Sequence, residues 1–178
     1  MKGNLPQRKH PRLEKYDYSS SGAYFITICT QNRKCILSRV VGRGLAPAAS
    51  LPIDRVDDCI EYTKYGEIVK QQLLKLEERY SHLKIDWYVI MPNHIHAIIV
   101  LDNKTAGASP RPTLTDIVCA YKSLTTAEAK RNGFVGKLFQ DSFYEHIIRG
   151  VDDYRETVDY ILNNPINWYY DELYKEQP

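Results

Sequence analysis

The order of hydrophobic and polar residues divides the chain into seven predicted elements, four strands and three helices. Runs rich in β-branched and aromatic residues predict strands over residues 22–33, 83–91, 94–101 and 137–150. Apolar residues at helical spacing predict helices over residues 63–80, 113–133 and 151–165. The order βαββαβ followed by one more helix predicts an α+β fold, a ferredoxin-like antiparallel sheet with helices on one face.

Local signals place several of the element boundaries. The dipeptide Pro92-Asn93 is a turn signal, so the apolar stretch around it is divided into two antiparallel strands. Thr113 and Asp116 have the spacing of a capping box at the start of the second helix. The segment 42–59 contains Gly, Ala and Pro without a strand or helix period, which indicates an inserted loop.

Length and composition indicate one soluble domain over residues 1–178. No apolar run approaches the roughly 20 residues that a membrane helix needs, and the first residues, MKGNLPQRKH, have no apolar segment that would predict a signal peptide. The four cysteines form no CxxC pair, so we expect reduced thiols and a cytoplasmic location.

A net charge of +2 does not by itself indicate a nucleic-acid partner, but the charge is unevenly distributed. The first 20 residues form a basic arm that includes Arg8, Lys9 and Arg12. Such an arm either contacts phosphate groups or is a solvated tail, and the sequence leaves both interpretations open.

His94 and His96 are two polar residues in an otherwise apolar predicted strand. Side chains alternate across a strand, so both imidazoles point to the same face and can bind one metal ion. The alternative is a structural pair whose nitrogens are satisfied by hydrogen bonds. A third ligand and a reactive group nearby would favour the metal site.

The last predicted helix offers both of these missing groups. Its apolar stripe, which we expect to face the core, consists of Val151, Tyr154, Val158, Ile161 and Leu162. Tyr160 and Asn164 lie beside this stripe and are neighbours one turn apart. Alternatively, Tyr160 is an ordinary amphipathic residue and Asn164-Pro165 is an ordinary helix end.

Three motifs together resemble a known family. "MPNHIH", "YEHIIR" and "DYRETVDYILNNP" are similar to the HUH single-strand transposases with one catalytic tyrosine, which are the insertion-sequence 200-like transposases. The similarity is greatest to their REP-associated tyrosine transposase branch. It extends from the "GAYFITICTQNR" strand to the "NNPINW" segment, which is nearly the whole chain.

The resemblance implies a metal-dependent enzyme that cleaves and transfers single-stranded DNA containing a hairpin. His94, His96 and Asn164 would bind Mg²⁺ or Mn²⁺, and Tyr160 would be the nucleophile that forms a covalent 5′-phosphotyrosine. The resemblance also implies DNA contacts for Lys122, and for Tyr144 and Arg149 in the "YEHIIR" strand. In relatives the tyrosine helix serves either its own histidines, in a monomer, or those of the partner, in a homodimer.

Two other functions remain open from the sequence. One is a hydrolytic metal phosphodiesterase in which water attacks, Tyr160 is structural, and Asp86 or Glu145 approaches the histidines. The other is a DNA hairpin-binding protein without catalytic activity.

Overall fold

The computed structural model describes residues 20–41, 59–102 and 112–176. The predicted basic-arm residues Arg8, Lys9 and Arg12 lie outside the described residues, as does nearly all of the predicted inserted loop. Six strands and three helices occur in the described part of the chain. The strands are β1 Gly22–Cys29, β2 Ser38–Val40, β3 Ile60–Tyr62, β4 Leu83–Ile90, β5 His94–Leu101 and β6 Tyr144–Ile148. The helices are α1 Lys64–Arg79, α2 Leu114–Arg131 and α3 Val151–Asn163, and short 3-10 turns cover Gln31–Arg33 and Trp168–Tyr170.

Four of the strands form one antiparallel sheet in the order β4-β5-β1-β6. This order and the intervening helices confirm the predicted ferredoxin-like α+β fold. β2 and β3 form a separate two-stranded antiparallel ribbon that the sequence analysis did not predict. Each has only three residues, which is too short for a recognisable alternation of polar and apolar side chains.

The two faces of the sheet carry different layers. α1 and α2 pack on one face, where Ile95, Ala97 and Ile99 of β5 join the larger hydrophobic core. α3 packs on the opposite face, where Ile98 of β5 and Ile161 of α3 belong to the smaller core. Because side chains alternate along β5, its histidines lie on the α3 face. None of the described helices has the length and apolar character that a membrane span requires.

The start of α2 has the predicted capping box. The Thr113 hydroxyl accepts a hydrogen bond from the Asp116 backbone N–H, and the Asp116 carboxylate accepts one from the Thr113 backbone. The helix ends before Gly133, as predicted, and this glycine has a φ of 87°. Helices commonly end at a residue with left-handed backbone dihedral angles, and glycine adopts this conformation without strain.

Two predicted strands are shorter than their sequence patterns indicated. β1 ends at Cys29, because Asn32 and Arg33 adopt positive φ values of 57° and 52° and turn the chain away. The predicted strand over 137–150 is regular only over β6. Before β6, the Gln140 backbone N–H donates to the Cys29 carbonyl and Leu138 is fully buried, so this segment closes the core beside β1 without continuing the sheet.

The predicted apolar stripe of α3 is only partly buried. Ile161 is fully buried, whereas Val151 is 64% exposed, contrary to the prediction. Val151 is the first residue of the helix and lies beyond the edge of the smaller core. Thr157, which is not apolar, is buried instead, and its hydroxyl donates to the Asp153 carbonyl.

Candidate metal and tyrosine site

β5 holds His94 and His96 in the middle of the sheet, where both side chains are buried. In the register with β1, His94 lies opposite Cys29 and His96 lies opposite Thr27. The two imidazole centroids are 4.4 Å apart. The alternation of the strand therefore brings the two rings together, as the sequence predicted.

Hydrogen bonds at Nδ1 orient both rings. His94 Nδ1 is 2.8 Å from Asn93 Oδ1, and the Asn93 amide nitrogen donates to the Leu173 carbonyl at 2.8 Å. Because an amide oxygen only accepts, Nδ1 of His94 carries the proton and Nε2 keeps its lone pair. His96 Nδ1 is 2.8 Å from the Thr27 hydroxyl, and its Nε2 is 3.4 Å from the Tyr160 hydroxyl.

α3 places Tyr160 and Asn164 at the same histidines. The Tyr160 ring lies edge-on to Phe25 and to His96, with centroid distances of 5.9 and 5.1 Å, and the side chain is 48% exposed. Asn164 is buried one turn further on. The tyrosine is therefore partly accessible to solvent, whereas the asparagine is buried beside the histidines.

Asp171 is a candidate site residue that the sequence analysis did not predict. It follows the 3-10 turn Trp168–Tyr170, and its carboxylate forms one group with the imidazoles of His94 and His96, with one ligand atom from each within 4.8 Å of the others. The Asn164 amide nitrogen donates to Asp171 Oδ2 at 2.8 Å. Asp171 lies in an irregular segment beyond the last helix, where neither periodicity nor motif spacing marks a ligand.

The atoms around the two imidazoles fit a cation. His94 Nε2 and Asn164 Oδ1 are both buried acceptors that receive no hydrogen bond from the described residues. Burying an acceptor without a donor is costly, and a divalent cation would satisfy both atoms together with the Asp171 carboxylate. Imidazole nitrogens and amide or carboxylate oxygens are ligands that Mn²⁺, Zn²⁺ and, with more oxygens, Mg²⁺ accept.

The protonation states suit metal binding. Burial lowers the pKa of His94 to about 4, against the opposing effect of the Asp171 carboxylate. Burial, and then the neighbouring His94, also lowers the pKa of His96 well below its usual value. Both rings are therefore neutral at pH 7, as metal ligands must be.

Tyr160 is held as the neutral phenol at pH 7. Burial raises the pKa of Tyr160 to about 12, and the Asp171 and Glu172 carboxylates act in the same direction. A phenol attacks poorly, so a nucleophilic role requires that its proton leaves during attack or that a nearby positive charge stabilises the phenolate.

An open cleft of about 1300 Å³ extends from His96 along the α3 face to β6. Its aromatic residues include Phe25, Tyr144 and Tyr160. The carboxylates of the cleft are those of Asp153, Glu156, Asp159, Asp171 and Glu172. The cleft is large enough for nucleotides, but its acidic lining means that a phosphate group needs a cation to approach the tyrosine.

The residues predicted to contact DNA lie in different places. Tyr144 lies in the cleft and is 57% exposed. Arg149 is exposed just beyond β6, where its backbone N–H donates to the Asp153 carboxylate. Lys122 belongs to α2, on the other face of the sheet from the histidines, and its ammonium donates to the Asp141 carbonyl at 2.8 Å.

The two carboxylates considered for a hydrolytic site do not reach the histidines. Glu145 lies opposite Ile26 in the β1–β6 register, on the face of the sheet that packs against α1 and α2. Asp86 pairs with Lys84 and accepts a hydrogen bond from the Tyr154 hydroxyl. Among the described residues, Asp171 is the acid that joins the two imidazoles.

Comparison with known proteins finds relatives in sequence and in fold. No protein-family model matches the chain. The chain is 31% identical to an uncharacterized protein of Haemophilus influenzae, over 96% of this chain and 94% of that protein. It is 32% identical to a REP-associated tyrosine transposase of Escherichia coli, over 84% of this chain and 69% of that protein.

A solved structure has the same fold. The structure of a REP-associated tyrosine transposase bound to a REP hairpin superposes with a TM-score of 0.60, at 20% identity, over 90% of this chain and 77% of that chain. An antiparallel four-stranded sheet with an additional C-terminal helix, together with the identity to the Escherichia coli protein, defines the class as a tyrosine transposase. The chain belongs to the REP-associated tyrosine transposase family.

Proposed function

We propose that the protein is an HUH endonuclease that cleaves and rejoins single-stranded DNA containing a hairpin, through a covalent 5′-phosphotyrosine at Tyr160. The observation that carries the proposal is the position of the Tyr160 hydroxyl, 3.4 Å from His96 Nε2 and beside two buried acceptors without donors. Family membership supports the same chemistry. The hairpin DNA partner is inferred from the solved relative, which is bound to a REP hairpin.

The cleavage step is a transfer of the phosphoryl group to the tyrosine. The Tyr160 oxygen attacks the scissile phosphorus in line, the bond from phosphorus to the 3′ oxygen breaks, and the phosphate remains on the 5′ oxygen of the downstream strand. The phenol proton leaves Tyr160, and the departing 3′ oxygen takes up a proton to become a free 3′-OH. A second 3′-OH then attacks the phosphotyrosine and rejoins the strands, without ATP.

His94, His96 and Asn164 are the residues that would hold a divalent cation, Mg²⁺ or Mn²⁺. The cation would bind and polarise the scissile phosphate and stabilise the leaving oxygen. Asn93 fixes the His94 imidazole with Nε2 available, and Thr27 holds the His96 imidazole at Nδ1. The buried β5 strand excludes water from behind the rings, which strengthens charge interactions at the site.

The cleft beside the tyrosine accounts for a single-stranded substrate. The exposed Tyr144 and Tyr160 rings border a space that accommodates unstacked bases, and base–aromatic stacking contributes about 1–3 kcal/mol per base. The acidic lining of the cleft leaves phosphate binding to the cation, to Arg33, and to cations outside the cleft. Arg149, Lys122 and the basic arm, with Arg8, Lys9 and Arg12, are candidates for contacts to the hairpin.

The experiment is a cleavage assay with a labelled single-stranded hairpin DNA and Mn²⁺ or Mg²⁺, resolved on a denaturing gel. We expect a labelled band at the mass of the protein, which is absent in Tyr160→Phe and absent in EDTA. Cleavage that survives Tyr160→Phe would support a hydrolytic phosphodiesterase instead. Hairpin binding without cleavage in the wild-type protein would support a DNA-binding protein without catalytic activity.

A further inference from the structure

We propose that Asp171 is a metal ligand, so that the site is a two-histidine, one-carboxylate centre completed from the C-terminal segment. This inference rests on the proposed metal-dependent function and extends it to a residue that the transposase resemblance did not assign. The ligand would be a divalent cation that accepts both imidazole nitrogen and carboxylate oxygen, such as Mn²⁺ or Mg²⁺.

The positions of the three side chains support a shared ion. One ligand atom from each of His94, His96 and Asp171 lies within 4.8 Å of the others. Ligand atoms that share an ion at about 2.1 Å are roughly 3 to 4 Å apart, so small side-chain rotations would bring the three together. Of the described residues, these are the only three His, Cys, Asp or Glu side chains grouped in this way.

The Asp171 carboxylate has lone pairs available for an ion. Its Oδ1 accepts a hydrogen bond from the Leu173 backbone N–H, and its Oδ2 accepts one from the Asn164 amide nitrogen. A carboxylate has about four acceptor positions, so each oxygen can accept one more partner. No lysine or arginine of the described residues forms an ion pair with Asp171. Arg33 lines the same cleft without forming an ion pair with Asp171, so the carboxylate beside the two neutral imidazoles can still interact directly with a bound cation.

Asp171 also orients Asn164 toward the same point. Because the Asn164 amide nitrogen donates to Asp171, its oxygen turns away from the carboxylate, and this oxygen is buried without a donor. His94 Nε2 is a second buried acceptor without a donor. Together with the Asp171 carboxylate, three residues thus present acceptors close to one another, and buried acceptors are stabilised together only by a cation or by donated hydrogen bonds.

The chain around Asp171 is anchored to the loop next to the histidines. The Leu173 carbonyl accepts a hydrogen bond from Asn93, the residue that orients His94. The Lys175 ammonium donates to the Asn32 carbonyl at 2.8 Å. Asp171 and His94 are therefore held by a common set of contacts, and the carboxylate is in position before an ion binds.

The consequence for metal choice follows from charge. Two neutral imidazoles and an amide oxygen carry no net charge, whereas Asp171 adds one negative charge and a hard oxygen. Asp171 should therefore raise the affinity for Mn²⁺ and Mg²⁺ more than the affinity for softer ions such as Ni²⁺ or Zn²⁺, which imidazole alone binds well.

The test is a Mn²⁺ titration of the full chain without DNA, in which free Mn²⁺ is measured by electron paramagnetic resonance. The variants are Asp171→Asn, Glu172→Gln and His94→Ala. Glu172→Gln removes one negative charge from the neighbouring position in the same cleft, so it controls for a general loss of charge. We expect Asp171→Asn to weaken Mn²⁺ binding at least about 10-fold and Glu172→Gln to change it less than about 2-fold.

The outcomes separate the two proposals. If Asp171→Asn and Glu172→Gln bind Mn²⁺ like the wild type while His94→Ala does not, Asp171 is not a ligand and the proposed metal-dependent function stands. If His94→Ala also binds like the wild type, the metal site itself is wrong.

A second variant covers the case in which Asp171→Asn fails to fold, which its circular dichroism spectrum in EDTA would reveal. Asp171→His keeps a ligand but replaces the hard oxygen with imidazole. We expect it to bind Ni²⁺ as tightly as the wild type or more tightly, and to bind Mg²⁺ at least about 10-fold more weakly. An unchanged ratio of Ni²⁺ to Mg²⁺ affinity would overturn the assignment of Asp171.

Discussion

At the scale of single residues, the site depends on imidazoles that stay neutral because they are buried. His94 receives the hydrogen-bonded support of Asn93 at Nδ1 and offers a free Nε2. Burial lowers the pKa of His94 to about 4 in the folded protein, whereas an exposed histidine in the unfolded chain has a pKa near 6.5. The unfolded state therefore binds more protons between these two values, and stability rises with pH through that range.

The resulting prediction concerns the metal-free protein in EDTA. The free energy of unfolding should fall as the pH is lowered from about 6.5 to 4, because the buried His94 must be protonated or exposed. Denaturant unfolding at several pH values measures this fall. His94→Gln should reduce the pH dependence in that range. An equal pH dependence in the wild type and in His94→Gln would show that His94 does not resist protonation.

The sequence was sufficient to predict the grouping of some candidate site residues and not of others. Strand alternation identified the shared face of His94 and His96, and helical spacing placed Tyr160 next to Asn164; the structure brings all four to one site. Asp171 was not predictable, because it reaches the histidines through a 3-10 turn and a bend whose direction depends on tertiary contacts.

At the scale of elements, packing of α3 in the smaller core determines the position of Tyr160. Ile161, directly after Tyr160, is fully buried against the sheet with Phe25 and Ile98. At the N-terminal half of the helix, the Tyr154 hydroxyl accepts a hydrogen bond from the Trp87 indole at 3.1 Å and donates one to Asp86 at 3.0 Å. These contacts fix both the position and the rotation of the helix.

We therefore expect different costs for two substitutions on this helix. Ile161→Ala leaves a cavity in the smaller core and should lower the free energy of unfolding by about 2–5 kcal/mol. Val151→Ala removes an exposed side chain from the same helix and should change it by less than about 0.5 kcal/mol. Chemical denaturation in EDTA compares the two variants. Similar losses in both would mean that α3 is packed along the whole stripe predicted from the sequence.

The long elements were predictable because their periodicity extends over many residues, and the ferredoxin-like order followed from them. The errors fall where tertiary contacts override local pattern. Residues 137–143 alternate like a strand, yet Phe139 forms a single bridge to Thr30 and the chain then turns before β6. Val151 has the correct helical spacing for the core, but its side chain is exposed and is not part of the smaller core, whereas Tyr154 of the same turn packs against it.

At the scale of the whole molecule, one chain brings the tyrosine to its own histidines. The Tyr160 hydroxyl lies 3.4 Å from His96 Nε2 of the same chain. In the chain order, α2 and β6 lie between β5, which carries the histidine, and α3, which carries the tyrosine. We therefore expect a single chain to complete the site, without exchange of tyrosine helices in a homodimer.

A mixing experiment tests this arrangement. Tyr160→Phe lacks the proposed nucleophile and His94→Ala lacks a proposed metal ligand, so we expect an equimolar mixture of the two to cleave no more hairpin DNA than either alone. The two proteins are mixed, incubated long enough for subunits to exchange, and assayed with Mn²⁺. Cleavage in the mixture well above both single variants would show that the tyrosine acts on the histidines of a partner chain.

The most direct test of the central claim is the polarity of the covalent link. A single-stranded hairpin DNA is labelled at either its 5′ or its 3′ end, incubated with the protein and Mn²⁺, and analysed on a denaturing gel and by peptide mass spectrometry. We predict that the 3′ label migrates with the protein, that the 5′ label stays on a free fragment, and that the peptide containing Tyr160 carries the DNA phosphate. Free fragments at both ends with no protein-linked DNA, or an adduct that persists in Tyr160→Phe, would contradict the mechanism.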